Sequence, residues 1–302
     1  MSIPLVYSPF YSYPFPATHR FPMDKFKQLH RCLTAAGLLQ AHNVFRPGRV
    51  KPAVLELAHH RDYIQRFQHN QLSQQELRKM GLPWSEPLVK RSMISPNGTL
   101  MTGAIALRHG VACHLAGGTH HAYHDHGRGY CVFNDLAVAA KALIAQGKAN
   151  KILIFDCDVH QGDGTASILA DDPQVFTCSI HCEKNFPHHK QTSDLDVGLP
   201  KGMDDEEYLA VVHETLLEAL RLSQPDLVFY DAGVDVYAED GLGYLNISTA
   251  GIAARERLVL HTIQQHNLPV ATVIGGGYDR DQKALAQRHA LVFHAAAEVF
   301  SN

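Results

Sequence analysis

The sequence is poor in the features that mark several classes of protein. Its 302 residues hold one tryptophan, and the six cysteines form no CxxC pair. Cys32, Cys113, Cys131, Cys157, Cys178 and Cys182 therefore do not read as a disulfide framework, and a chain this long buries enough core to need no staples. Reduced thiols in a cytoplasm are expected. There is no basic excess: 27 Lys and Arg stand against 30 Asp and Glu, a net charge of −3. That balance argues against nucleic acid as a partner. No segment approaches the roughly 18 consecutive apolar residues of a membrane span. The N-terminus, Met1 to Pro14, lacks a basic region followed by an unbroken apolar one, so it does not read as a secretory signal. What is abundant is histidine, with 21 residues, a side chain that both ligates metals and titrates near neutral pH.

Apolar runs rich in β-branched residues predict buried parallel strands at Ile3 to Tyr7, Ala53 to Leu57, Lys151 to Asp156, Val175 to Ile180, Leu227 to Tyr230 and Val270 to Ile274. Helical spacing predicts helices over Met23 to Ala36, Thr99 to Leu115, Asn134 to Gln146, Asp204 to Leu222, Ala250 to Gln265 and Arg280 to Phe300. Alternation of the two is the pattern of a parallel sheet covered by helices on both faces. With no repeat, low-complexity tract or linker, residues 1–302 read as a single α/β domain.

In such sheets ligands sit beyond the carboxyl ends of the strands, and there the polar residues collect. Asp158 and His160 stand two apart; if the strand continues through them, they face the same side and can share one cation. A carboxylate and an imidazole suit zinc or another borderline divalent ion. Asp240, from a loop after a neighbouring strand, is the expected third ligand, leaving a fourth position for water or substrate. A lone Asp-x-His pair more often caps a helix, but the run Asp156-Cys-Asp158-Val-His160-Gln-Gly-Asp163-Gly adds two acids and a glycine turn.

Adjacent His120 and His121 follow a Gly-Gly turn, where one imidazole can serve a metal-activated water and the other a neighbouring acceptor, each needing an acid to set its tautomer. Asp156 and Asp163 are the spare acids, and spacing alone does not say which acid holds which histidine. Gly275-Gly276-Gly277-Tyr278 at a strand end lets a phenol swing toward a pocket, where it could donate to a developing oxyanion. A surface turn is the plainer alternative; a phosphate loop fits poorly, because no GxGxxG or GKS/T follows.

Taken together, the spellings Gly118-Thr-His120-His121-Ala, Gly129-Tyr130-Cys131-Val-Phe-Asn134-Asp135, Asp156 to Gly164, Asp231-Ala-Gly-Val-Asp235 and Gly275-Gly-Gly-Tyr278 resemble the histone deacetylase family, most of all its small class IV-like, bacterial and plant branch. The likeness runs from roughly residue 15 to 300, in the family's order. It implies the arginase/deacetylase fold, a three-layer α/β/α domain with a mostly parallel sheet of about eight strands, and zinc-dependent hydrolysis of an acylated amine. It makes Asp158, His160 and Asp240 the ligands of one zinc ion. His121 with Asp163 becomes the general base and acid, His120 with Asp156 the electrostatic partner, and Tyr278 the group that polarises the scissile carbonyl. Gly129, Tyr130, Phe186 and Gly276 match the substrate-gripping positions. A potassium-type site through Asp156, Asp158, His160 and Ser179 is also implied. Tyr130 stands where phenylalanine is frequent in the family, and Glu239 where glycine is common.

The substrate so implied is an acyl-lysine in a protein or peptide, or a small acylated amine, handled by a monomer or simple homo-oligomer. An acetylated polyamine would want an acid at the rim, for which Glu239 or Asp125 are the candidates. Two further readings are a ureohydrolase holding a pair of manganese ions, for which Asp235 and Asp240 are present but the tight SxDxDxxDP spelling is not, and a non-catalytic binder of acylated ligands. Against the second, no catalytic part is missing.

Overall fold

The computed structural model describes residues 2–300. One sheet holds eight strands: β1 (Leu5–Val6), β2 (Val44–Phe45), β3 (Val111–His114), β4 (Ile152–Asp156), β5 (Val175–Cys182), β6 (Leu195–Leu199), β7 (Leu227–Asp231) and β8 (Val270–Val273). All neighbours pair in parallel, in the order β2-β1-β3-β8-β7-β4-β5-β6. The central strands β3, β8, β7 and β4 are buried along their whole lengths. That requires helices on both faces, and it is why these strands read as continuous apolar runs rather than alternating ones. The edge strand β6 does alternate, with Asp196 and Gly198 exposed between less exposed neighbours.

Two expectations fail for local reasons. Ala53 to Leu57 is not a strand: the segment opens as the helix Pro52–Leu55, with Pro52 at its first position and Lys51 extended before it. Proline there is pre-set for a helix, and a five-residue apolar run cannot by itself distinguish the two structures. The long helix expected over Thr99 to Leu115 is Ser95–His109, followed by β3. Gly110 separates them at φ +82°, its N–H donating to Ala106 O, a left-handed stop that glycine adopts without strain. The other five predicted helices and five predicted strands form within a few residues of their expected bounds. All six cysteines are free, five of them buried. Among the described residues no helix is long and apolar enough to cross a membrane.

The order β3-β8-β7-β4-β5 sets side by side the five strands whose following loops carry the polar motifs. This adjacency, which the linear sequence does not display, assembles the site.

Candidate active site

β4 ends at Asp156, so Asp158 and His160 do not share a strand face as extrapolated. A tight turn brings them together instead: Asp158 N donates to Asp156 Oδ1 at 2.9 Å and His160 N to Asp158 Oδ1 at 2.9 Å. His160 Nδ1 then lies 3.0 Å from Asp158 Oδ1 and 3.2 Å from Asp235 Oδ2. Asp235 is anchored by Val159 N, which donates to its Oδ1 at 2.9 Å. Ligand atoms of Asp158, His160 and Asp235 all fall within 4.8 Å of one another, and all three residues are buried. Asp240, the expected third ligand, is not in this group. Its carboxylate accepts from Tyr278 N at 2.7 Å and Leu242 N at 2.9 Å.

The donor set fits a cation. Asp235 Oδ2 is buried with no aligned hydrogen-bond partner, although an imidazole nitrogen stands beside it. Burial opposes charge on His160, but Asp158 and Asp235 outweigh it and push its pKa up to about 10. Burial likewise opposes charge on Asp158, yet His120 and His160 hold it well below the usual carboxylate range. Two carboxylates and an imidazole drawing positive charge to one point are suitable ligands for zinc or a similar ion.

The histidine pair is carried by the turn after β3. Asp135, at the start of the helix Asp135–Ala145, holds that turn by accepting from Thr119 N at 2.7 Å and Gly118 N at 3.3 Å. His120 Nδ1 donates to Asp156 Oδ2 at 2.6 Å and His121 Nδ1 to Asp163 Oδ1 at 2.6 Å, while the two Nε2 atoms stand 3.2 Å apart. Burial disfavours the charged form of both. For His120 the fields of Asp156 and Asp158 win and raise its pKa well above the ordinary value. For His121 burial and the charge on His120 outweigh Asp163, and its pKa falls to about 4. Near neutrality the pair holds one proton-rich and one proton-accepting imidazole, the asymmetry that acid–base work requires.

Of this assembly, His121 and His160 open onto a cavity of about 820 Å³. His121, His160, Tyr278, Gly129, Tyr130 and Phe186 all line it. The Phe186 ring meets His121 edge-on with centroids 4.8 Å apart. Gly129 has to be glycine: its φ is +54°, and a Cβ would stand 2.6 Å from His121 Cδ2. Gly276 lies behind the wall, donating to Asp158 Oδ2 at 2.7 Å and bordering a separate inner space of about 30 Å³. Ser179 is the register partner of Asp156 across β4 and β5, and its Oγ lies 3.0 Å from His181 Nδ1. The two rim acids considered for a polyamine do not line the cavity. Asp125 pairs with His126 at 2.7 Å, and Glu239 accepts from Tyr237 Oη at 3.3 Å.

Sequence reasoning missed several members of the assembly. Arg128 and Tyr123 both donate to Asp163 Oδ2, each at 2.9 Å. Lys25 is buried and donates to Gly275 O at 3.0 Å; burial pushes its pKa down to about 8 against the pull of Asp235 and Asp158. Arg255 is fully buried in the helix Thr249–Gln265 and donates to Gly233 O at 2.8 Å and Cys157 O at 3.3 Å, tying the loops after β7 and β4 together. Lone cations on amphipathic helices read as solvated, so the sequence carried little signal for Lys25 or Arg255. Arg128 directly precedes Gly129, and that adjacency was the one available hint.

Comparison with known proteins bears on the same residues. The histone deacetylase domain model matches residues 19–295. An uncharacterized protein of Picosynechococcus is 49% identical over 300 residues, covering 99% of this chain and 100% of that one. Histone deacetylase 2 of Arabidopsis thaliana is 27% identical, with 86% of this chain and 70% of that protein aligned. Acetoin utilization protein AcuC of Staphylococcus aureus is 28% identical, with 88% and 74% aligned. Among solved structures, the crystal structure of the HDA15 HD domain superposes with a TM-score of 0.76 at 20% identity, covering 98% of this chain and 96% of that one. The eight-stranded parallel sheet is thus the arginase/deacetylase fold, and the domain match across nearly the whole chain makes this protein a member of the histone deacetylase family.

Proposed function

We propose that the protein is a zinc-dependent deacylase, one cytoplasmic domain spanning residues 1–302, that hydrolyses the amide of an acylated amine such as acyl-lysine. Family membership makes it a deacetylase-type hydrolase; the metal, the residue roles and the substrate are our reading. The observation that carries it is the pair of His-Asp contacts, His120 to Asp156 and His121 to Asp163 at 2.6 Å each, with His121 and His160 opening onto the cavity beside a cation-seeking donor set.

Asp158, His160 and Asp240 would hold the zinc, with Asp235 behind them orienting His160. Asp240 is preferred to Asp235 as the third ligand because its neighbours Gly241 and Leu242 line the cavity, whereas Asp235 is wholly enclosed. Zinc there supplies Lewis acidity to the acyl carbonyl and to the attacking water. Gly129, Tyr130 and Phe186 grip the apolar stem of the substrate and keep bulk water from the amide. His121 Nε2 takes the proton of the attacking water, its Nδ1–H held by Asp163. Tyr278 donates its phenolic proton in a hydrogen bond to the carbonyl oxygen as charge develops there. Burial and the field of Asp158 raise the Tyr278 pKa well above its ordinary value, so it remains a donor throughout the working range. His121 then returns its proton to the leaving nitrogen, releasing free amine and carboxylate. His120, charged and tied to Asp156, stabilises the negative charge of the transition state. Asp156, Ser179 and the backbone oxygens of Asp158 and His160 would form the accompanying potassium-type site.

The test is carboxylate release by zinc-loaded protein from lysine peptides carrying acyl groups of two to about fourteen carbons, a range that samples pocket depth. A chain-length optimum is expected; silence across the panel with zinc bound overturns the reading. Zinc content separates the ligands. Asp240→Asn is expected to lose the metal and Asp235→Asn to weaken it, and the reverse order would replace Asp240 by Asp235.

A further inference from the structure

Among the described residues the mouth of the cavity is lined by six cations, Arg20, Arg78, Lys79, Arg128, Lys184 and Lys201, and by no aspartate or glutamate. Composition does not account for this, because acidic residues outnumber basic ones in the chain. The six come from five separate places. Arg20 lies near the N-terminus and hydrogen-bonds Gly241 O across the rim. Arg78 and Lys79 end the helix Gln74–Met80. Arg128 precedes Gly129, Lys184 follows β5, and Lys201 follows β6 with its ammonium 3.8 Å from the centre of the Tyr244 ring. Only Arg128 is neutralised locally, by Asp163. Among the described residues the other five have no carboxylate within ion-pair distance, and all five are exposed. Like charges gathered at one opening repel each other, and a low-dielectric cleft focuses the resulting field on whatever enters.

We propose that the site selects amides whose amine half carries negative charge, carboxylate or phosphate, set back from the scissile bond. The inference rests on the deacylase reading for the bond that is broken, and adds the charge of the group that is released. The acyl-bearing end must pass between Gly129, Tyr130 and Phe186 to reach His121 and Tyr278, so the exposed cations face the remote part of the substrate. An acyl-lysine flanked by acidic residues satisfies them, as does a small acylated amine bearing a phosphate. An acetylated polyamine brings further positive charge to the same opening and is disfavoured.

The experiment compares kcat/KM of the zinc-loaded enzyme for acetyl-lysine peptides differing only in flanking residues, aspartate, neutral or lysine, together with an N-acetylated amine carrying a phosphate and an acetylated polyamine. At low salt the aspartate-flanked peptide is expected to exceed the lysine-flanked one by about tenfold or more. The ratio should collapse toward unity as salt shortens the screening length from about 10 Å at 0.1 M to about 3 Å at 1 M. Arg78→Glu with Lys79→Glu, or Lys184→Glu, should lower the ratio. The faster of the aspartate peptide and the phosphate compound names the source of the charge. Equal rates for aspartate, neutral and lysine flanks, or preference for the polyamine, overturn the inference while leaving deacylation in place. If nothing is hydrolysed, the deacylase reading falls, and anisotropy of labelled aspartate- and lysine-flanked peptides still decides the charge question. Tighter binding of the aspartate peptide upholds the selection, and equal binding refutes it.

Discussion

Arg255 offers the sharpest test of how the fold holds the site. Its guanidinium is fully buried and reaches four acceptors: Gly233 O at 2.8 Å, Cys157 O at 3.3 Å, Tyr208 Oη at 3.2 Å and Glu256 Oε1 at 2.5 Å. Glu256 in turn accepts from Tyr230 Oη at 2.6 Å. Arg255→Met strands the Glu256 carboxylate with one neutral partner and leaves two loop carbonyls without a donor. Breaking a buried ion pair by removing one partner costs about 3–5 kcal/mol. Each orphaned carbonyl carries about 1–3 kcal/mol, which overlaps with the first figure and is not added to it. Against a total stability of about 5–15 kcal/mol, a loss of about 4 kcal/mol is expected, read in urea unfolding as a lower midpoint with unchanged slope. The double variant Arg255→Met with Glu256→Leu should regain much of that loss, because it removes the stranded charge along with its partner. Arg255→Lys cannot span the four acceptors, since an ammonium lacks the planar fork. It is expected to loosen the loops bearing Asp158 and Asp235 and to weaken zinc binding by about 10- to 100-fold. A single-variant loss below about 1 kcal/mol, or zinc affinity unchanged in Arg255→Lys, would refute the reasoning.

Tyr278→Phe removes one oxyanion donor and should lower kcat by about 100- to 1,000-fold with KM little changed and zinc content intact; loss of zinc instead would mean that the phenol is structural. Gly129→Ala places a methyl against His121 at a positive φ, so activity should fall by about tenfold or more through displacement of the imbalanced histidine pair, and normal rates would show that the loop can yield. His59 is held neutral, donating from Nδ1 to Tyr123 O at 2.9 Å and accepting from Asn134 N at 2.8 Å, and burial pushes its pKa down to about 3. The unfolded chain binds that proton near pH 6.5, so the stability from His59 is whole above pH 6.5 and falls by about 1.4 kcal/mol per unit between there and pH 3. Burial holds His114 and His121 below their ordinary values as well, so the His59 share is read as a difference: between pH 6 and pH 5 the stability lost in urea unfolding should be about 1 kcal/mol greater for the unaltered protein than for His59→Gln, and equal losses would refute it.

How much of this was legible in the sequence depends on the range of the interactions involved. The strands β4, β7 and β8 were visible because a parallel strand buried on both faces must be apolar throughout, a requirement that leaves its mark within five residues. β1 lies within the apolar run Ile3 to Tyr7 that predicted it, whereas β2 is two residues long, too short for any periodicity, and β3 was absorbed into the preceding helix because its cap, Gly110, sits inside a window of apolar residues. The histidines, Asp156, Asp158, His160, Asp163 and Tyr278 stood out for the opposite reason: they are polar residues at the ends of apolar runs, where no packing role explains them.

The partners of those residues follow a different rule. Whether Asp235 or Asp240 stands beside His160 is set by how the loop after β7 meets the turn at Val159, a contact 76 positions apart in sequence; spacing along one segment says nothing about it. The cationic mouth is still less visible, since its six members are drawn from five places that become neighbours only when β3, β5 and β6 and the helix Gln74–Met80 are folded around one opening. Sequence motifs therefore report the bond a site can break, because the reacting groups must be particular residue types at the strand ends. The charge of the molecule it accepts is written in residues that could be replaced singly without altering any motif, and it becomes readable only when the chain is folded.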